Sequence, residues 1–260
     1  MTIIGYWLIF ELLPNRVATI GSMPSFPPDR SLAKVLTDIP FQMDRTVLRR
    51  NLRLKPGSHH LAELDHLIDQ AEQFGKPKAM FRMVYIDEKG EDWVQLDGRR
   101  LISRVLRVNL EEAQRAFIFV ATAGVELDAW AKTISDLLHR FWADSIQEVA
   151  LETARRALHQ VLVQRFHPGL LSEMHPGSLD DWPLSAQDDL FALLGDVAGS
   201  IGVSMTESKL MVPVKSISGI AFPTQTHFTS CQLCPRENCR ARQAPFDQAL
   251  FEKRYGMASL

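Results

Sequence analysis

The sequence predicts an α+β fold in which a twisted antiparallel sheet packs against long helices. Two strand-like segments joined by a short turn occupy residues 79–98, and a continuous apolar segment follows at residues 116–124. A helical region then runs from about Glu126 to Phe166. Strands linked as hairpins pair antiparallel, whereas a parallel sheet needs a crossover between successive strands. The order of these elements therefore favours an antiparallel sheet over a doubly wound parallel one.

The segments around the first hairpin carry start and stop signals. Asp44 can cap a short helix through Leu52, and Gly75 ends an amphipathic helix with the sequence HHLAELDHLIDQAEQFG. The hairpin turns at residues 88–90, and the segment RRLISRVL is predicted to continue the sheet. Asn109, followed by two glutamates, is predicted to open a further helical turn.

The second half of the chain alternates a buried strand, long helices and further strands. The run AFIFVATAG is continuously apolar, as expected of a central strand. The Pro-Gly pair at residues 168–169 ends the helical region, and Ser185 with Asp188 resembles a capping box. Strands are predicted at Ser204–Thr206 and Ser216–Phe222, before a closing helix in FDQALFEKRYG. Apolar residues at helical spacing predict a stripe that faces the core: Leu127, Trp130, Ile134, Leu137, Leu138, Phe141, Ile146 and Val149.

Composition restricts the classes of partner. The chain has 260 residues, of which 46% are hydrophobic and 23% charged, with a formal net charge of −2. These values are ordinary for a globular protein and give no overall basic field that would attract nucleic acid or an anionic membrane. We therefore expect neither as a partner. The cysteines are too few and too clustered to staple loops, which favours a reducing, cytoplasmic location.

The first thirty residues differ in character from the rest. The segment IIGYWLIFELL is apolar but shorter than the ~20 residues of a membrane span, and Glu11 interrupts it. No basic residue precedes it and no small-residue cleavage site follows, so a secretory signal is not expected. It is either a docking strand or the result of a start placed upstream of Met23 or Met43. The proline-rich stretch SMPSFPPDR marks the first boundary, and the predicted divisions are residues 1–30, a domain at 31–246 and a tail at 247–260.

All the cysteines of the chain lie in one short segment, at Cys231, Cys234 and Cys239. The spacing C-x2-C-x4-C is typical of a metal site, because two cysteines at this separation can both reach one ion. Arginines in the same segment would favour the thiolate forms. The alternative is three small apolar side chains packed in a core. The sequence favours a metal site in a cysteine loop at residues 227–246.

The spacing leaves the metal open between iron and zinc. A third thiolate close behind a C-x2-C pair suits a 4Fe–4S cluster, and Pro235 favours a tight turn. Three thiolates would leave one iron of such a cluster without a protein ligand. Structural zinc needs a fourth ligand, for which His227 is the nearest candidate.

Three blocks of sequence resemble the S-adenosylmethionine-binding activation domain of cobalamin-dependent methionine synthase, and more closely its free-standing relatives that end in a cysteine cluster. The blocks are DWPLSAQDDLFALLG, IGVSMTESKLMVPVKSISGI and CQLCPRENCRARQAPF. The family pattern in the second block is close to I-G-x-x-L-T-E-S-x-x-M-x-P-x-x-S-V-S-G. Residues that match it are Thr206, Glu207, Ser208, Met211, Pro213, Ser216, Ser218 and Gly219. The resemblance covers residues 39–246 and implies the fold of that domain.

The resemblance implies a role beside a corrinoid carried by another protein. In the family, cobalamin in the inactive cob(II)alamin state takes up one electron and a methyl group from S-adenosylmethionine. The domain supplies no nucleophile, so the resemblance implies no catalytic residue. It implies S-adenosylmethionine as cofactor, a corrinoid or cobalamin-binding methyltransferase as partner, and Asp144 and Glu152 as acidic residues near the cofactor. The electron would come from a cysteine-bound cluster in this chain or from a separate electron donor.

The family's cofactor loop, R-x-x-P-G-Y, has two partial copies in this chain. In the later copy Glu173 replaces the arginine and Ser178 the tyrosine, around Pro176 and Gly177. An arginine would pair with a carboxylate there, whereas a glutamate would repel it. The earlier copy keeps Arg165 but has leucine in place of the tyrosine, and either turn alternatively serves only to end a helix. The cofactor-binding residues implied are Glu152, Arg165, Pro176, Gly177, Ser178 and Glu207.

Two functions of different classes follow. The first is an accessory factor for reductive reactivation of a corrinoid methyltransferase, which binds S-adenosylmethionine and docks on the cobalamin protein. The second is a non-catalytic iron–sulfur or zinc module for electron transfer or assembly that no longer binds S-adenosylmethionine. The loop from residue 165 to residue 178 discriminates between them.

Overall fold

The computed structural model describes residues 32–225, 230–233 and 244–255, with the backbone alone at 230, 231 and 253–255. The predicted extension at residues 1–30 lies outside them, and the domain divisions stay predictions. The strands are β1 (Lys34–Leu36), β2 (Lys78–Lys89), β3 (Trp93–Leu96), β4 (Arg99–Ile102), β5 (Arg115–Thr122), β6 (Leu170–Met174), β7 (Ser204–Met205), β8 (Met211–Val212) and β9 (Ser216–Thr224). The α-helices are α1 (Arg45–Asn51), α2 (Leu61–Phe74), α3 (Arg104–Asn109), α4 (Val125–Lys132), α5 (Leu137–Phe166), α6 (Gln187–Leu194), α7 (Val197–Ile201) and α8 (Gln248–Tyr255). Among the described residues, no helix combines the length and apolar character needed to cross a bilayer.

The predicted α+β class with an antiparallel sheet is confirmed. Across the sheet the strands follow the order β4, β3, β2, β5, β9 and β6, and β1 pairs with the first half of β2. All these pairs are antiparallel, and β7 and β8 form a separate hairpin. β5 lies inside the sheet between β2 and β9, and its residues from Ala116 to Thr122 are buried. Its continuous apolar sequence therefore reflects burial on both faces.

Successive side chains of β5 point to opposite faces of the sheet, and helices cover both faces. Phe119 belongs to a core cluster that includes Leu158 of α5. Val120 belongs to a different cluster that includes Leu190 of α6 and residues of α3 and α7. Each large apolar side chain buried in this way contributes roughly 1.5–3 kcal/mol to folding. The sheet is therefore the central layer between α5 and the α3, α6 and α7 group.

A third cluster joins the helices that precede and follow the central strands. Leu64 and Ile68 of α2 pack with Leu127 of α4 and Trp142 of α5. The predicted cap of α1 is confirmed, since Asp44 accepts backbone N–H bonds from the first turn of that helix. α2 ends at Phe74, as the following glycine predicts. The start of α5 is thus held by a small helical bundle beside the sheet.

The helical region after β5 is divided, and its predicted apolar stripe is partly wrong. Residues 133–136 separate α4 from α5, and the Asp136 side chain caps the second helix. Leu137 is 81% exposed and Phe141 is 48% exposed, whereas Trp142 is 1% exposed. Because the break resets the helical phase, one periodicity drawn across both helices assigns the wrong face to the first turns of α5.

Two predictions that follow the first hairpin are wrong. The segment RRLISRVL continues the sheet only through β4, because Ser103 begins α3 by accepting a 3.1 Å hydrogen bond from the Leu106 N–H. Asn109 ends that helix instead of opening one, and its side-chain amide donates to the Val105 carbonyl at 2.8 Å. The cap at Ser103 explains both differences, because it begins the helix directly after β4 and before Asn109.

The capping box predicted before α6 is wrong as well. A 3-10 helix at Leu184–Ala186 leads directly into α6, and no side chain caps the N-terminus of that helix within the described residues. Ser185 lies in the 3-10 turn, and Asp188 pairs with the Lys209 ammonium at 2.7 Å. The 3-10 turn supplies the first backbone hydrogen bonds of the helix, so a side-chain cap is not needed.

Candidate functional site

One buried side chain connects the first two sequence blocks near the start of β9. Gln187, at the start of α6, is 1% exposed. Its oxygen accepts a 2.9 Å hydrogen bond from the Ser218 hydroxyl, and its amide donates to the Lys209 carbonyl at 2.8 Å. α6, β9 and the segment that leads into β8 are therefore fixed relative to one another by a single amide.

The histidine that follows β6 continues this network from the other side of β9. His175 Nδ1 donates a 2.9 Å hydrogen bond to the Ser218 carbonyl, and the ring meets Phe119 edge-on at 5.9 Å between centroids. The approach requires Gly219, because a Cβ at that position would lie 2.7 Å from His175 Nδ1. Burial lowers the pKa of His175 below its usual range, so the ring is neutral at pH 7. Its Nε2 then presents a lone pair 3.8 Å from Glu173 Oε2.

The turn after His175 is closed by its own backbone. The Gly177 N–H donates to the Trp182 carbonyl at 2.7 Å, and the Ser178 N–H donates to the His175 carbonyl at 3.1 Å. Gly177 has φ +80°, a conformation that side chains rarely adopt. Pro176 is buried, whereas Gly177 and Ser178 are exposed. The turn thus presents backbone and a hydroxyl group to solvent beside the half-buried histidine.

A cluster of four charged residues lies between α5 and β6. Arg155 bonds the Glu152 carboxylate through Nε at 2.8 Å and Nη2 at 3.3 Å, and Glu173 through Nη1 at 3.1 Å. Arg156 Nε donates to Glu152 at 3.0 Å. Burial lowers the pKa of Arg155, but the carboxylates of Glu173 and Glu152 outweigh it and raise that pKa overall. Glu152 is 5% exposed, so both arginines compensate its buried charge.

A second charged cluster lies about two turns earlier on α5. The Lys215 ammonium lies 3.0 Å from Asp144 and 2.9 Å from Glu148. Burial raises the pKa of Glu148 to about 7, against the opposing attraction of Lys215. Asp144, expected near the cofactor together with Glu152, therefore has a different partner and belongs to this separate cluster.

The structure brings together only part of the predicted cofactor site. Glu152 is linked to the turn at Pro176–Ser178 through Arg155 and Glu173. Arg165 lies ten residues after Arg155 on the same helix, hence about 15 Å farther along its axis. Glu207 lies exposed in the turn between β7 and β8, whose strands are only two residues long. Whether any of these residues binds a ligand stays a prediction.

The metal-site prediction falls almost entirely outside the described residues. Cys234 and Cys239 are not among them, and Cys231 contributes only its backbone, in the 3-10 helix Ser230–Leu233. Leu233 in the same turn is buried in the core cluster that also holds Trp182. Within the part of the chain that the structure describes, no three His, Cys, Asp or Glu side chains assemble as metal ligands. Convergence of the cysteines stays a prediction.

Sequence reasoning missed the residues that tie this region together. Arg155 and Arg156 follow Glu152 at three and four residues, a spacing that signals ion pairs on one helix face. Gln187 lies inside the first sequence block but carries no motif of its own. His175 lies inside the later copy of the loop pattern, at a position for which the pattern specifies no residue. Arg155, Gln187 and His175 also have partners on other elements, 18 to 43 residues away in sequence, which no local pattern reveals.

Comparison with known proteins finds similarity at the level of the fold. No protein-family model matches the sequence, and a search of curated proteins finds no match. Among solved structures, the crystal structure of the MetH reactivation domain bound to AdoHcy is similar, with a TM-score of 0.53 and 15% sequence identity. The similarity covers 77% of this chain and 81% of that one. The chain has the fold of that reactivation domain.

This similarity confirms the expected fold. The structural similarity agrees with the resemblance inferred from the sequence blocks. It also agrees with the α+β architecture and its antiparallel sheet. At 15% identity the likeness concerns the fold alone.

Proposed function

We propose that this chain binds an S-adenosyl nucleoside beside the turn after β6 and acts as an accessory factor in the reductive reactivation of a corrinoid protein. The observation that carries the proposal is a row of contacts beside that turn, in which Arg155 pairs with Glu173, the Glu173 carboxylate lies 3.8 Å from the His175 ring, and His175 and Gln187 both hydrogen-bond Ser218. It links the predicted cofactor turn to the two sequence blocks that resemble the activation domain. The reactivation-domain fold supports the same role.

The groups at this position fit the chemistry of S-adenosylmethionine. Its amino-acid end carries both charges, and Arg155 and Glu173 offer both opposite charges at one point. Its ribose and adenine need hydrogen-bonding groups, which the exposed turn at Gly177 and Ser178 supplies through backbone and hydroxyl groups. The neutral His175 beneath the turn adds a lone pair without adding charge.

The proposed chemistry requires positioning rather than acid–base catalysis. After a one-electron reduction, the cobalt of the partner's corrinoid is the nucleophile that takes the methyl group, and S-adenosylhomocysteine is left. The chain holds the sulfonium in line with the incoming nucleophile, an effect of orientation. No side chain of this chain needs to gain or lose a proton during transfer, so we assign no catalytic residue.

Docking on the corrinoid protein must be reversible, because the partner's own substrates have to return to the corrinoid. We therefore expect a modest interface, near or below ~1,200 Å² in total, beside residues 165–182. The electron comes from a cluster on the cysteines or from a separate donor protein. Burial of Leu233 in the same core cluster as Trp182 is consistent with a cysteine segment near that loop.

The experiment combines this chain with a cobalamin-loaded methyltransferase in the cob(II)alamin state, a low-potential chemical reductant and S-adenosylmethionine. The expected result is the absorbance change of methylcobalamin formation, dependent on this chain and on S-adenosylmethionine. Omission of each component serves as control. Equal rates with and without the chain, for the corrinoid proteins tested, would contradict the proposal.

The second candidate is a metal-binding module for electron transfer or assembly. It is favoured by one observation, the clustering of every cysteine of the chain at Cys231, Cys234 and Cys239. Such a module would hold iron or zinc but give no response to S-adenosyl nucleosides. Metal analysis together with nucleoside titration on one preparation separates the two candidates.

A further inference from the structure

We infer that Arg155 and Glu173 together hold the zwitterionic amino-acid end of the S-adenosyl ligand, with Arg155 binding its carboxylate and Glu173 its ammonium. The inference rests on the proposed function and assigns the ligand-recognition residues within it. It places the carboxylate-binding guanidinium on helix α5, whereas the loop pattern R-x-x-P-G-Y would carry it at the position of Glu173.

The hydrogen bonds of Arg155 leave capacity for a ligand. A guanidinium has five N–H donors, and within the described residues Arg155 uses three of them, two toward Glu152 and one toward Glu173. The remaining two belong to Nη1 and Nη2, the pair of nitrogens at the outer end of the group. A carboxylate is the acceptor that two such donors recognise best. The Arg155 side chain is 26% exposed, so a ligand can reach it.

The charges of the cluster fit a zwitterion better than a simple anion or cation. Glu152 is bonded by both Arg155 and Arg156, and Glu173 is bonded by Arg155. Two carboxylates and two guanidinium groups sum to zero. A ligand that brings one carboxylate and one ammonium keeps that balance, whereas a ligand with only one of them leaves an uncompensated charge in a half-buried site.

The position of the pair also matches the predicted turn. Glu173 lies on β6, and its Oε2 is 3.8 Å from the ring of His175, which leads directly into the exposed turn at Gly177 and Ser178. A nucleoside lying on that turn therefore has its amino-acid end within reach of Arg155. The glutamate that breaks the expected loop pattern thus orients the arginine instead of excluding the ligand.

The first test varies the ligand and uses the unaltered protein. Calorimetric titration compares S-adenosylhomocysteine, its decarboxylated analogue and 5′-methylthioadenosine, which has no amino-acid end. We expect each truncated ligand to bind at least about tenfold more weakly, the effect typical of losing a charged hydrogen-bonded group. If all three bind equally, the inference is wrong while nucleoside binding, and with it the proposed function, stands.

The second test varies the protein. We expect Arg155→Met to weaken the binding of S-adenosylhomocysteine at least about tenfold and to leave the binding of 5′-methylthioadenosine unchanged. Arg156→Met is the matched control, because Arg156 is the neighbouring residue and donates to the same Glu152 oxygen as Arg155, whereas Arg155 also bonds Glu173. Arg155→Lys should recover part of the affinity, since an ammonium keeps the charge but not the paired donors. A purely structural ion pair would instead lower stability in both Met variants and would not discriminate between the ligands.

The outcomes separate the inference from the proposed function. If Arg155→Met does not fold, the ligand series on the unaltered protein still decides. If Arg155→Met binds S-adenosylhomocysteine as tightly as the unaltered protein does, the inference is wrong and the proposed function stands. If the unaltered protein binds none of the three nucleosides, both the inference and the proposed function are overturned.

Discussion

Asp181 Oδ2 accepts a 2.6 Å hydrogen bond from the hydroxyl of Ser103, the residue that caps α3. The same carboxylate oxygen accepts the Val105 N–H at 2.9 Å, so one aspartate joins the segment after the turn to the N-terminus of α3. A carboxylate at a helix N-terminus is stabilised by the exposed N–H groups and the helix dipole. The candidate cofactor segment is therefore anchored at both ends. His175 bonds to β9 at one end, and Asp181 bonds to the N-terminus of α3 at the other.

We expect Asp181→Ala to lower the free energy of unfolding by about 1–3 kcal/mol, because it leaves a buried hydroxyl and a helix N–H without their acceptor. The loosened segment should also weaken binding of S-adenosylhomocysteine. Asp180→Ala, at the adjacent and exposed position, is the matched control and should change neither quantity. Urea unfolding and calorimetry measure the two effects. Equal stability of both variants would show that the Asp181 contacts are weak in solution.

The buried carboxyl of Glu148 predicts an unusual dependence of stability on pH. Its pKa is raised by burial from 4.5 to about 7, so the folded state holds a proton that the unfolded state has lost. Stability from this group is therefore full below pH 4.5 and is lost as the pH rises to about 7. Between pH 5 and pH 8 we expect the free energy of unfolding of the wild type to fall by about 2 kcal/mol relative to that of Glu148→Gln. The residual exposure of Glu148 and the attraction of Lys215 limit this fall.

The control for this prediction is Glu91→Gln, which removes a carboxyl from an exposed position in the first hairpin. Its stability should follow that of the wild type across the same pH range. Urea unfolding at pH 5, 6, 7 and 8 provides the comparison. A constant difference between wild type and Glu148→Gln at every pH would show that the pKa of Glu148 is not raised.

The cysteine segment predicts a measurable metal content. We expect protein purified without oxygen to contain either iron and sulfide with the broad visible absorbance of a 4Fe–4S cluster, or one zinc per chain. Replacing Cys231, Cys234 or Cys239 by serine should reduce that content in each case. These are the only thiols of the chain, so no other cysteine can substitute. Metal-free protein whose three thiols react with a thiol reagent only after unfolding would favour simple packing in a core.

Local sequence signals correctly predicted those elements whose bounds are set by residues within the element or next to it. The cap at Asp44, the stop at Gly75 and the uninterrupted apolar run of β5 each determine a structure within a few residues. The antiparallel class followed from the order of hairpins and helices. Where two local signals competed, as at Ser103 and Asn109, the sequence did not show which one would begin the helix.

The candidate site depends on contacts that local patterns do not encode. Arg155 meets Glu173 across 18 residues, and Gln187 meets Ser218 across 31. The substitution at Glu173 looked unfavourable for carboxylate binding because its partner on α5 was not known. Only the packing of α5 against the sheet brings a compensating arginine to that glutamate. Ion pairs between distant elements are the part of the site that required the structure.

Titration of S-adenosylhomocysteine into the purified protein tests the central claim most directly. The account predicts saturable heat with one site per chain, and a rise in melting temperature that grows with ligand concentration. At a hundred times the dissociation constant this corresponds to about 2.7 kcal/mol of added stability. Adenosine and methionine added separately should give a much smaller response. No heat and no thermal shift at millimolar ligand would contradict the account and favour a metal-binding module without nucleoside recognition.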